Sequence, residues 1–86
     1  MGMDLMGADL SYNWGTWRRF VTLLDHWSVD IDEFKYTNDG HQISARTCMA
    51  VADAIEAHLD DDCGMDRKWL REQIPKWRYC GGCLQY

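Results

Sequence analysis

The stretch Tyr36–Leu59 constrains the fold of this chain more than any other. It opens with Tyr36-Thr37-Asn38-Asp39-Gly40. There the Asn and Asp side chains bond nearby backbone and Gly accepts positive φ, which is the chemistry of a reversing turn. Ile43-Ser44 follows, an apolar residue ahead of an N-cap hydroxyl, and residues 45–59 are Ala-rich and contain no Gly or Pro. The spacing predicts a helix over 45–59. Cys48, Ala52, Ile55 and Leu59 recur at helical intervals, flanked by Ala45 and Val51, as a narrow inward stripe of small side chains. Arg46, Asp53, Glu56 and Asp60 form a mostly acidic ridge on the opposite side. The other helices are expected to dock on this one.

With 86 residues the chain is read as a single domain, 1–86, large enough for one core. Five Trp, four Tyr and two Phe supply most of what that core can bury. Asn13 reads as the N-cap of a helix running to about Trp27, with Trp14, Trp17, Phe20, Val21 and Leu24 on one side. A third helix is expected from about Asp66, turning Trp69, Leu70, Gln73, Ile74 and Trp77 inward. Pro75 has no N–H to donate, so a kink or a new turn is expected near Ile74. Gly81-Gly82 implies a tight turn, after which Leu84–Tyr86 is expected to pair with Met3–Met6. The expected class is therefore mainly α, a small three-helix domain with a short antiparallel strand pair formed by the termini.

Net charge is −5, and it is unevenly spread. Residues 1–64 carry twelve Asp or Glu against four Lys or Arg, whereas residues 65–86 carry five cations against two acids. Direct nucleic-acid binding, which needs a broad cationic surface, is not expected. The balance favours a protein partner with a basic surface. Asp53, Glu56, Asp60, Asp61 and Asp62, together with Asp30, Asp32 and Glu33, are the candidate partner-binding residues. The competing reading is a solvated face of the kind every soluble helix carries. No run reaches membrane-spanning length, and the first residues lack a signal-peptide pattern, so an intracellular chain with reduced cysteines is expected.

Among chemical candidates, His58-x4-Cys63-x16-Cys80-x2-Cys83 offers three thiols and an imidazole in an order that tetrahedral zinc could use. Cys48 is set apart from this group, because ten helical residues, about 15 Å, separate it from His58. The stronger reading makes Cys48 a small core residue and the Cys80/Cys83 pair part of a Gly-rich turn, with no cofactor. Zinc held by His58, Cys63, Cys80 and Cys83 is the alternative. Cys80-Gly81-Gly82-Cys83 follows a helix instead of opening one, which argues against a dithiol redox catalyst. Neither acidic cluster has the spaced acids, central Gly and distant Glu of a calcium loop. His26 and His41 have no adjacent Ser, Cys or Asp partner in sequence, so no nucleophile–base pair is legible and no enzymatic activity is expected.

Several segments carry a resemblance. Met1-Gly2-Met3-Asp4-Leu5-Met6-Gly7, Ser11-Tyr12-Asn13-Trp14-x2-Trp17, Tyr36-Thr37-Asn38-Asp39-Gly40, Ala50 to Leu59 and the closing Cys80-Gly81-Gly82-Cys83 together resemble a family of small uncharacterised proteins of bacteriophages and prophage-bearing bacteria. Its members open Met-Gly-Met/Phe-Asp, place Asn-Asp-Gly before an Ala-rich helix and end near a Gly-Gly motif. Those motifs are structural and name no chemistry. The resemblance implies a phage context and the cytoplasm of a bacterial host. Joined to the acidic surface, it leads to the expectation of a non-enzymatic accessory protein that binds another protein. An anti-CRISPR-like inhibitor, occupying a nucleic-acid groove of a host defence complex, is the specific form expected.

Overall fold

The computed structural model describes residues 2–8, 10–34, 40–59 and 65–86. Along the chain run β1 (Gly2–Met6), β2 (Leu10–Asn13), α1 (Trp14–His26), β3 (His41–Ile43), α2 (Ala45–Ala57), α3 (Arg67–Tyr79) and β4 (Cys83–Gln85). The strands join in one four-stranded sheet of order β2-β1-β4-β3, every neighbouring pair antiparallel. The mainly α expectation is overturned: three helices and this sheet make an α+β fold.

β1 and β4 do meet, with Leu5 opposite Gln85 and Met6 opposite Leu84, but as the two inner strands of a wider sheet. β2 and β3 supply its edges. Each is too brief to show a period-2 pattern against the helix signal beside it, since β2 ends at the N-cap of α1 and β3 stops one residue before the N-cap of α2.

Alternation along the strands sends Met3, Leu5, Leu10, Tyr12, Ile43, Cys83 and Gln85 into the core, while Asp4, Met6, Ser11 and Leu84 face solvent. The helices therefore cover one face of the sheet and leave the other open. Buried Gln85 is satisfied by donating its Nε2 to the Glu33 carbonyl at 2.8 Å, which ties β4 to the loop before β3.

Each helix starts where a side-chain oxygen can accept a first-turn amide. Asn13 accepts from Thr16, Ser44 from Thr47 and Asp66 from Lys68. α1 buries Trp17, Phe20, Val21, Leu23 and Leu24; α2 buries Cys48, Val51, Ala52 and Ile55; α3 buries Leu70, Gln73 and Trp77. α3 runs through Pro75 without ending, so no new turn interrupts it near Ile74. The turn chemistry at 36–39 lies outside the described residues.

Aromatic rings fill the space between sheet and helices. Tyr12 stacks on Phe20 with centroids 5.4 Å apart, Phe20 stacks on Trp77 at 5.9 Å, and Phe34 closes the cluster against Trp17 at 5.7 Å. The one hydroxyl at its centre is fully used: Tyr12 donates to Gln73 Oε1 at 2.8 Å and accepts from Trp77 Nε1 at 3.2 Å. Burial pushes the Tyr12 pKa well above its ordinary value, so it is a neutral structural group.

Candidate functional site

The sequence-named acids fall in two places. The first is the loop 28–34 and the start of α2. Here Asp30 accepts the Asp32 amide at 3.0 Å, an Asx turn that fixes the loop, and Phe34 is buried beneath it. Glu33 reaches the N-terminus of α2. One carboxylate oxygen accepts the Ser44 amide at 2.6 Å; the other accepts the hydroxyls of Ser44 and Thr47, each at 3.2 Å. A capping box normally takes its returning carboxylate from the third helical residue, which in α2 is Thr47. Glu33 supplies it from another segment, and the helix dipole favours a negative charge at that end. Glu33 is thus engaged in holding the fold, whereas Asp30 and Asp32 remain exposed. Asp30, Glu33, Ser44, Arg46, Thr47 and Ala50 together line a polar cleft.

The second place is the outer face of α2. Asp53 and Glu56 are there as the helical spacing requires, and the Arg78 guanidinium of α3 forks between them. One nitrogen lies 2.8 Å from Asp53 and the other 2.8 Å from Glu56. The hydrogen bonds that Arg78 donates to Glu56 and Asp53 raise its pKa further, so the bridge stays charged. The side chains of Asp53 and Glu56 keep 68% and 59% of their exposure. The ridge therefore carries one uncompensated charge from this pair. Asp60, Asp61 and Asp62 lie outside the described residues.

The structure distributes the thiols and the imidazole differently from the zinc alternative. His58, at the C-cap of α2, stacks its ring on Trp27 with centroids 4.8 Å apart. Cys80 and Cys83 lie by the other end of that helix, next to Cys48. The Cys48 and Cys83 sulfurs are 3.9 Å apart, and the Cys80 thiol donates to the Trp77 carbonyl at 3.4 Å. His58 is thus held apart from Cys80 and Cys83, and Cys63 lies outside the described residues. Among the described residues, no group of three or more His, Cys, Asp or Glu side chains is arranged to hold a metal ion.

Cys48 is only 1% exposed and Cys83 4%. Hydrogen bonding to Cys83, then burial, drives the Cys48 pKa far up, and burial raises that of Cys80. Cys48 and Cys80 are therefore thiols at neutral pH. Sequence reasoning placed Cys48 in the core but not beside Cys83, because that contact depends on where β4 lies. The inward alternation of β4, with Cys83 and Gln85 on one face, was the signal available.

The chain also exposes an apolar strip that the sequence did not reveal. Met6 and Leu84 stand opposite each other across β1 and β4 on the open face of the sheet, and Tyr86 follows on the same side. No described helix is long and apolar enough to cross a membrane. Searches against protein-family models, curated proteins and solved structures gave no match to the chain.

Proposed function

We propose that this chain is a non-enzymatic binding protein that docks through exposed carboxylates on a basic protein surface. The surface meant is of the kind that otherwise holds nucleic acid, as in an inhibitor of a host defence complex. The observation that carries the reading is that Asp30, Asp53 and Glu56 are exposed yet fixed, Asp30 by the turn its carboxylate closes and the other two by the Arg78 fork, with Asp32 exposed beside Asp30. Carboxylates already held in place lose little freedom on binding, which is where an acidic mimic of phosphates gains affinity. Arg78 removes one charge from the ridge and in exchange sets the positions of two.

The test uses the purified chain and purified DNA-targeting defence complexes of the CRISPR class. The expected result is binding at low salt that weakens as salt rises, and loss of target DNA from the complex as the chain is added. The double variant D30N/D32N is expected to weaken binding by about tenfold, near 1.4 kcal/mol, with an unchanged Tm. Absence of binding at low salt, or binding indifferent to both salt and D30N/D32N, overturns the proposal.

A further inference from the structure

The geometry points to the cluster Cys48, Cys80 and Cys83 as a thiol–disulfide site, which a low-molecular-weight disulfide such as oxidised glutathione converts to a Cys48–Cys83 bridge between α2 and β4. The three sulfurs arrive from three elements. Cys48 sits on the inward face of α2, Cys80 caps the end of α3, and Cys83 opens β4. The Cys48 and Cys83 sulfurs are already in contact at 3.9 Å, so closing to a bond of about 2.05 Å takes a movement of roughly 2 Å. Neither is open to solvent, but Cys80 is half-buried and hydrogen-bonded to Cys48, and so provides the route in. Hydrogen bonding by the Gly82 backbone opposes the effect of burial at Cys48 and Cys80 and so favours a thiolate as one forms.

The steps balance. Cys80 loses its proton and its sulfur attacks oxidised glutathione; one glutathione leaves as the thiol and Cys80 carries the other as a mixed disulfide. Cys48, losing its proton, attacks the Cys80 sulfur and expels the second glutathione. Cys83 then attacks the Cys48 sulfur, gives up its proton and returns Cys80 to the thiol. In sum, two protein thiols lose two protons and two electrons, which reduce one glutathione disulfide to two thiols. The hydrogen bond to Cys83, then burial, keeps Cys48 protonated, and burial does the same for Cys80, so the exchange is slow. The site is therefore a redox-linked staple and not a fast oxidoreductase.

Intact-mass analysis of the folded chain equilibrated in oxidised glutathione tests this. The expected product has lost two hydrogens between Cys48 and Cys83, carries no glutathione on Cys48, Cys80 or Cys83 and has a higher Tm than the reduced form. Trypsin places Cys48 and Cys63 in fragment 47–67 and Cys80 and Cys83 in fragment 79–86. In the variant C63S a link between the two fragments must therefore come from Cys48. The variant C63S/C80S keeps only Cys48 and Cys83; it is expected to close to the same bridge about tenfold more slowly or less. Three results overturn the proposal: a disulfide confined to 79–86 in C63S, a stable glutathione adduct without closure, or a C63S chain that keeps three free thiols in the oxidised buffer.

Discussion

Glu33 shows how the role of a single residue is decided by what it faces. In sequence it belongs to an acidic run with Asp30 and Asp32 and reads as part of a partner-binding surface. In the fold its carboxylate accepts three hydrogen bonds from Ser44 and Thr47 and completes the cap of α2. The caps themselves, Asn13, Ser44 and Asp66, were legible because each sits next to the helix it starts. The carboxylate that returns to Ser44 comes from eleven residues upstream, and no local pattern encodes that distance. Glu33→Ala removes both a cap and the partner of a half-buried amide, and is expected to cost about 1–3 kcal/mol. Urea unfolding would measure it. Glu33→Gln keeps one carbonyl acceptor for the Ser44 amide and is expected to lose less. If Glu33 instead served the partner, both substitutions would spare stability and reduce binding.

At the scale of the element, the helices and the pairing of β1 with β4 could be read from the chain, and the edge strands β2 and β3 could not. A helix is specified within its own span: the Trp/Phe/Val/Leu stripe of α1 and the Cys/Ala/Ile stripe of α2 each declare a face every three or four residues. β3 and β4 have three residues each and draw their stability from partners far along the chain, whereas β2, with four, pairs with β1 beside it in sequence. Leu5 finds Gln85, and Ile43 finds Cys83. The turn into β4 makes this dependence measurable. Gly81 and Gly82 both have positive φ, +70° and +110°, but a Cβ on Gly81 would meet nothing, whereas one on Gly82 would lie 3.3 Å from the Ile43 carbonyl oxygen and 3.4 Å from the Ala45 nitrogen. Backbone from β3 and α2 therefore abuts Gly82. Gly81→Asn, in a region that Asn tolerates, is expected to cost about 1 kcal/mol or less. Gly82→Ala combines backbone strain with a steric conflict and is expected to cost roughly 2–4 kcal/mol. Equal losses in the two variants, read from thermal or urea unfolding, would mean that the turn is not held against β3 and α2.

For the whole molecule, the sequence separates charge along the chain, acidic before residue 65 and basic after it. Folding partly cancels that separation by laying α3 against α2, so that Arg78 stands over Asp53 and Glu56. The acidic ridge was legible from helical spacing; its neutralisation was not, because it depends on which helix lies alongside. Net charge and fixed position then make opposite demands on Arg78. As an exposed ion pair it contributes little to stability, while as a counter-charge it halves what the ridge presents to a basic partner. Arg78→Ala is accordingly expected to shift Tm by less than about 4 °C. Its affinity for the basic partner is expected to fall at low and at high salt, because Asp53 and Glu56 lose the fork that holds them although the ridge gains a net negative charge. The alternative is that net charge outweighs position, and then the same variant binds more tightly at low salt with a steeper salt dependence. Titrating wild type and Arg78→Ala against one partner at two salt concentrations separates the two: a gain that shrinks with salt means net charge governs the encounter, and a loss at both means the fixed geometry does.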